Sequence, residues 1–493
     1  MEQSLPPIVE NVWLGMHADE TAKTQPGLVQ LAQNFFLRDG RWVPRDGFVF
    51  MTGGTDPTAA IRGIIDYQEL DGTIHTLCFS NADMFEWNWS TSQWSTVDLS
   101  TKGVTVAPAA KLAFANSRGR LIVTDGVNQP WMWAASTDTY TVLTAAPIAN
   151  MCAIYYDRLF FYDATASNIK FEWSAPADPT TGYDAAGNSW EFVQTDAGPV
   201  RGMGPLNNTL VILKEDSGSF LRGVVEATFE TDAVREGLSE SEGTVAGNSV
   251  VILDGNIFFL SQNGPRVAID GQRLVRINED EDGNNRLVDV WATIDRTKWQ
   301  NSIACADTQN RMIWWFVPLE GGVGKLQTAI VYKVDEDSFS IYKFDATLDI
   351  RSCAEVEDTS GNEYILLGLS NGHMLRQDVS TVTDDSLNIE RILRSGLHGS
   401  KDAMILKRLA EVRLHMQLPG NITFRLKPYT DGTVISSPVS TDVFTAGPHR
   451  YRKAFNVLGF TVGWEFYQLA TEAGPEIHSA LTFMTITGSY STV

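Results

Sequence analysis

A short apolar strand, a tight polar turn and a second apolar strand recur along this chain, and the units begin roughly every 40 to 55 residues. AIRGIIDYQELDGTIHTLCFSNADMFEWNWSTSQWSTV (60–97) is the first, with turns at Asp71-Gly72 and Ser80-Asn81. KLAFANSRGRLIVTDGVNQPWMWAASTDTYTVL (111–143) is the second, and MCAIYYDRLFFYDATASNIKFEWSAPADP (151–179), followed by SWEFVQ, is the third. Units four to seven start near residues 200, 244, 301 and 350. None could bury both faces of its sheet alone, so neighbours must stack. Three or four short strands per unit at this spacing predict an all-β chain, a β-propeller of six or seven blades over residues 58–380. An end blade split between a strand near residue 50 and the last unit would close the ring.

The flanks read differently. Residues 1–57 are expected to be an extended N-terminal segment that packs on the propeller or closes it. Residues 381–400 read as a polar linker, and 401–493 as a second domain. The alternation in RLAEVRLHMQL, ITFRLKPY, GFTVGWEFYQL and LTFMTITG implies antiparallel strands with one buried face, hence a C-terminal β-sandwich. One stretch breaks the β pattern. Leu287, Val290, Trp291 and Ile294 fall at i, i+3, i+4 and i+7, which predicts one inserted helix, packed on the rim or reaching a neighbouring subunit.

Composition narrows the function. With 38 Lys and Arg against 60 Asp and Glu the net charge is −22, and such a surface repels phosphate at range, which argues against a basic groove gripping nucleic acid. Cys78, Cys152, Cys305 and Cys353 lie far apart, each in an apolar strand-like run, and read as free thiols in a reducing compartment. MEQSLPPIVENVWLG has no basic region followed by an apolar core, and no apolar run approaches the about 18 residues that span a membrane. Synthesis in the cytosol, without a membrane segment, is the expectation.

Catalytic and metal motifs are missing from the sequence. His17, His75, His373, His398, His415, His449 and His478 are never within four residues of one another, and only His75 has a Cys that near, Cys78, so no local set of metal ligands exists. NEDEDGNN (278–285) misses the calcium-loop pattern by one residue of spacing and has Asp289 where Glu is required. It reads as a solvated acidic loop before the helix, and Asp335-Glu336-Asp337 reads as a hairpin turn. Gly321 to Lys325 lacks the first Gly of a phosphate loop and links two strands. There is no nucleophile elbow, and carboxylates are too plentiful for spacing to pick out a glycosidase pair. No enzyme activity and no cofactor are expected.

Three stretches carry a resemblance: QNFFLRDGRWVPRDGF, then DRLFFYDATASNIKFEWSAPADP followed by Trp190, and NIFFLSQNGPRVAIDGQRLVRI followed by the expected helix. Together with the alternating C-terminal region, they resemble the tail nozzle, or packaged-DNA stabilisation (head-closure), β-propeller proteins of short-tailed bacteriophages. The resemblance implies a virion protein, made in the host cytoplasm, that forms a hexameric ring below the portal and the tail adaptor. Such a ring retains the packaged genome and lets it pass on ejection. The implied partners are further copies of the chain, the adaptor above, tail fibre, spike or needle proteins, and genomic DNA passing through the lumen without sequence-specific binding. Six chains would carry about −130, and the part facing the lumen would discourage DNA from sticking. In this setting the loop at Asp178, Pro179, Tyr183 and Trp190 and the acidic loop at Asp280 and Asp282 are expected to contact a subunit or partner. A different class, a tail-tip adhesin that binds a host surface glycan, would use aromatic pockets on the loops.

Overall fold

Turn residues set the architecture. In the computed structural model, positive φ falls at Asn81, Arg118, Asp254, Asp270 and Asp337 and at Gly72, Gly119, Gly255 and Gly271, each ending one short strand and reversing the chain into the next. The result is nearly all β, with 57% of the described residues in strands and 3% in helix. The structure describes residues 3–4, 6–10, 13–18, 28–163, 170–183, 189–191, 198–206, 208–223, 234–398, 405–431, 433–435, 442–470 and 472–489.

Between residues 61 and 378 the strands form seven antiparallel sets of four. Sheets one to six span 61–97, 113–142, 149–191, 200–239, 251–276 and 303–343 in simple meander order. Sheet seven has three strands from residues 350–378, and Gly47–Phe50 supplies the fourth, with Phe50 opposite Leu375 and Gly47 opposite Asp378. Gly47 is required there, since a Cβ would stand 2.2 Å from the Thr383 carbonyl oxygen.

The first strands of the sheets are neighbours in succession. Ile61–Gln68 touches Ala113–Asn116, which touches Ala149–Tyr155, which touches Val200–Pro205. Val200–Pro205 meets the turn Gly247–Ser249 that leads into Val251–Leu253; that strand touches Ile303–Asp307, which touches Ile350–Glu357, which returns to Ile61–Gln68. The apolar clusters lie between consecutive sheets: Tyr67, Phe79, Leu121 and Trp131 join sheets one and two, and Tyr155, Phe160, Ile212 and Leu221 join three and four.

The N-terminal segment does more than pack on this body. Leu28–Gln33 runs between sheet six, where Gln33 lies opposite Ile341, and Ile389–Ser395. Ile389–Ser395 pairs with Val462–Ala470, and that strand with Ile422–Thr430, so one eleven-stranded sheet includes sheet six and reaches into the C-terminal region. A second C-terminal sheet is built from Gly447–Gly459, Ile405–Leu418 and Glu476–Ser489 and is extended by the hairpin Phe35–Arg38 and Arg41–Pro44. The two sheets share a core of Leu409, Val412, Leu414, Phe424, Trp464 and Phe466, in which the Phe424 and Phe466 rings stand 5.0 Å apart.

Over its described residues, 381–398, the stretch expected as a linker at 381–400 therefore is not one. They hold a strand paired on both sides, and Asp384 is buried in an ion pair with Arg45 at 2.5 Å. The Arg45 guanidinium also lies 4.6 Å from the centre of the Phe344 ring and accepts the orientation set by Asn34, whose Oδ1 takes its Nε–H at 2.8 Å. Polarity suggested solvent here, but the polar groups are satisfied by each other inside the joint. The helix is shorter than its spacing suggested, Val288–Ala292, although Leu287, Trp291 and Ile294 are buried as expected. It is packed within the chain: Trp291 Nε1 donates to the Gln262 carbonyl at 3.1 Å, and Asp289 N to the Ala18 carbonyl at 3.0 Å.

Candidate functional site

Several of the first strands carry a cation at the beginning or a carboxylate towards the end. Arg62, Arg201 and Arg351 are each the second residue of theirs, in sheets one, four and seven, and Lys111 stands two residues before that of sheet two. Small residues follow, such as Gly63, Ala115, Gly202, Ala304 and Ala354, which suits strands that crowd against one another. Asp66, Asp307, Glu355 and Glu357 occupy the far ends.

At the beginnings, Arg351 pairs with Asp349 at 2.6 Å and Arg201 with Glu215 at 3.0 Å. Arg62 donates to the backbone carbonyls of Ala107, Ala110 and Asn81. Lys111 Nζ donates to the Gln300 carbonyl at 2.6 Å, linking sheet two to the segment that leads into sheet six. Burial of the amine, with the Arg201 cation nearby, lowers the Lys111 pKa to about 8.

At the ends, Asp66 accepts the Glu357 N–H at 2.7 Å and the Thr76 hydroxyl at 3.0 Å. Glu355 accepts the N–H and hydroxyl of Thr308 at 2.7 and 2.8 Å, and the same hydroxyl lies 2.9 Å from Glu363. Burial pushes Asp66 up to about 6 and Glu355 up to about 7, in spite of these donors, and it also raises Asp307. These carboxylates are tied to backbone and hydroxyl donors. Among the described residues, no group of three or more His, Cys, Asp and Glu side chains is arranged to hold a metal ion.

The residues expected at contacts fall into two places. Asp178 caps its turn: its Oδ1 accepts the Thr180 N–H and hydroxyl at 2.9 and 2.6 Å, and its Oδ2 the Thr181 hydroxyl at 2.9 Å. The Thr180 hydroxyl and N–H hold its pKa below the usual carboxylate range. Pro179 and Tyr183 are buried, and the Tyr183 hydroxyl donates to the Pro179 carbonyl at 2.9 Å, so these two side chains serve the interior of sheet three. Trp190 lies in the fourth strand of that sheet, opposite Phe171; its side chain and residues 184–188 are outside the described residues.

Asp280 closes the acidic loop by accepting from the N–H groups of Asp282 and Asn284 at 3.0 and 2.7 Å. Burial opposes its charge, yet the Asn284 and Asp282 donors prevail and its pKa is lowered. Asp282 is exposed. Arg286 joins this loop to the Asp335–Asp337 turn, bonding the Glu279 carbonyl and, at 2.7 Å, the Asp337 carboxylate. The sequence separated these two acidic runs, and the fold makes them one patch.

A cavity of about 890 Å³ opens between sheets three, four and five, lined by Tyr155, Tyr156, Leu206, Asn208, Ile252 and Asp270 among others. The Tyr155 and Tyr156 hydroxyls donate to the Asn208 and Gly223 carbonyls at 2.9 and 2.8 Å. Sequence reasoning found neither this cavity nor the graded first strands. The signal for the second was present in the recurring IRG, VRG and IRS at strand beginnings.

No protein-family model matches the chain, and no curated protein sequence matches it. Among solved structures it is similar to U3-55K, at 10% identity over 67% of this chain and 98% of that one, with a TM-score of 0.41. It is similar also to the computationally designed Ika8 protein, at 9% identity over 68% and 99%, with a TM-score of 0.38. A third similarity is to PorZ, a bacterial surface component of the type-IX secretion system of Porphyromonas gingivalis, at 11% identity over 73% and 44%, with a TM-score of 0.39.

Proposed function

We propose that the seven sheets are the blades of a β-propeller, that the two C-terminal sheets are a β-sandwich, and that the chain is a virion structural protein. Six copies form the nozzle ring of a short-tailed phage, below portal and adaptor, which retains the packaged genome and later lets it pass. The return of Ile350–Glu357 to Ile61–Gln68 supports the propeller, and the shared core of Leu409, Phe424 and Trp464 supports the sandwich.

The observation that carries the functional reading is the way the chain is fastened. Gly47–Phe50 completes sheet seven, and Leu28–Gln33 joins sheet six to the C-terminal sheets. Opening either region then breaks backbone pairing in the other, which suits a wall that must resist internal pressure. Charge supports it as well: residues 1–400 hold 29 Lys and Arg against 53 Asp and Glu, a surface to which DNA does not adhere.

Negative-stain imaging of the purified chain, alone and with its adaptor, tests the reading. A six-fold ring with a central hole is the expected result. A trimer or monomer that retains host glycan would favour the adhesin, with the cavity beside Tyr155 and Tyr156 as the place to look for the sugar.

A further inference from the structure

The second C-terminal sheet ends on an edge. Gly447–Gly459, 13 residues long, pairs with Ile405–Leu418 on one side, and among the described residues no strand pairs with its other side. Its exposed residues alternate, Pro448, Arg450, Arg452, Ala454, Asn456 and Leu458, so they share one face. Register sets like charges side by side: Arg452 stands opposite Arg413, and Arg450 opposite His415. Arg413 lies over the Phe483 ring of the next strand, 4.5 Å from its centre. Across Gly447–Gly459, Ile405–Leu418 and Glu476–Ser489 the chain carries Lys407, Arg408, Arg413, Arg450, Arg452 and Lys453 against Glu411 and Glu476.

The two carboxylates are already engaged. Glu411 is bonded by both Arg413 and Arg452, at 2.5 Å for the second, and Glu476 lies 3.8 Å from Arg41 and 3.5 Å from His478. Arg450 is exposed and has no ion pair among the described residues. Like charges directly opposite one another across a strand pair destabilise the sheet, and an acidic partner relieves them. The chain itself offers one. Residues 1–400 hold 29 Lys and Arg against 53 Asp and Glu, and Arg286 joins the loop at Asp280 and Asp282 to the Asp335–Asp337 turn in one patch. That patch lies at the other end of the same sheet. The hairpin Phe35–Arg38 and Arg41–Pro44 closes the strand order opposite Gly447–Gly459, and in its turn the Asp39 N–H donates to Glu336 at 2.8 Å. A basic edge at one end of the sheet and an acidic patch at the other make the chain complementary to a second copy placed head to tail.

We propose that this arginine face is an interface between copies of the chain, and that its occupant is the acidic patch of residues 279–282 and 335–337 on a second copy. The contact rests on the ring reading, since repeated head to tail it closes a ring when the rotation is right. Arg and aromatic side chains, the types enriched at protein interfaces, make up the face, and half-exposed Leu458 adds apolar surface beside them. A nucleic-acid strand fits less well, because the strongly acidic body of the chain repels it. The bland alternative is an edge strand whose charges serve only to keep it from pairing with other edges.

Sedimentation velocity of the full chain at low ionic strength decides between them. Self-association is expected, with a dissociation constant raised about tenfold or more in Arg450→Glu and in Asp282→Lys and unchanged in Arg118→Glu, on sheet two. The double variant Arg450→Glu, Asp282→Lys exchanges the two charges and should recover the association, as should an equal mixture of the two single variants. A chain that is monomeric at every concentration, or association as strong in folded Arg450→Glu, would overturn the contact; a six-fold ring still formed with the adaptor would then leave the ring reading standing. Association that needs both residues but yields open chains would support the contact and overturn the ring. A chain that stays monomeric and binds a duplex oligonucleotide through Arg450 would assign the face to nucleic acid and overturn the proposal. Circular dichroism of each variant establishes that it is folded.

Discussion

Residues 61–378 bury their apolar surface in sheets whose strands are three to eight residues long, whereas residues 405–489 use strands that reach 14 residues. The first region turns after nearly every strand and pairs each strand with its sequence neighbour. In the second, Ile405–Leu418 pairs with Gly447–Gly459 and Glu476–Ser489, and the sheets are completed from residues 28–44. Charge divides the same way: residues 401–493 hold 9 Lys and Arg against 7 Asp and Glu, so the negative charge resides in residues 1–400. A strand-and-turn repeat can be stable locally and carry a repulsive surface, while a region assembled from distant segments needs neutral, mutually satisfied joints.

The strongest way to break this comparison is at the joint. Arg45→Ala leaves Asp384 buried without its cation and should cost about 3–5 kcal/mol, read as the free energy of urea unfolding. Because Leu28–Gln33 belongs to both regions, fluorescence and hydrogen-exchange probes in each should shift together. A shift confined to residues 405–489 would show two independent units.

Next in size is Trp464→Ala. Trp464 is fully buried between the two C-terminal sheets, 6.4 Å from the Trp13 ring, and its loss should cost about 3 kcal/mol. Hydrogen exchange should rise first in residues 405–489 and in the N-terminal strands paired with them, and equal loss of protection in sheets one to four would contradict the division.

A smaller effect separates the regions by pH. Burial holds Glu355 up to about 7 and Asp66 up to about 6, so between their ordinary values and these the native state binds more protons than the unfolded chain. Stability from these groups is thus present at low pH and lost as pH rises through 6 to 7. Glu355→Gln should raise stability at pH 8 by about 1–2 kcal/mol and leave it unchanged at pH 4. Equal effects at both pH values would exclude a raised carboxyl.

The smallest expected effect is at Asp178. Asp178→Ala removes the acceptor for Thr180 and Thr181 and should cost about 1 kcal/mol, measured by thermal unfolding. An unchanged midpoint would mean the turn keeps its shape through Pro179 alone.

These regions also differed in how far the sequence disclosed them. The strand-turn repeat was legible because each turn is local chemistry: Asp254-Gly255 and Asp270-Gly271 adopt the positive φ that their residue types favour. The split sheet was also legible, since a strand-like run near residue 50 stands apart from the repeat and could close it with the last unit. The strand Ile389–Ser395 was hidden, because IERILRS alternates with arginines that find partners only in the fold, Arg394 with Glu465 at 2.7 Å among them. The same holds for the site. Asp178 could be recognised as a turn residue from its neighbours, but nothing in sequence spacing places Lys111 beside Gln300, 189 positions away.

Cryo-electron microscopy of particles assembled with this chain tests the proposed ring directly. The account predicts six copies in a ring between portal and tail tip, acidic surfaces turned to a DNA-wide lumen, and strand Leu28–Gln33 seated between sheet six and Ile389–Ser395 in every copy. Copies placed as trimers on the tail periphery, or a lumen walled by the Lys and Arg side chains, would contradict it.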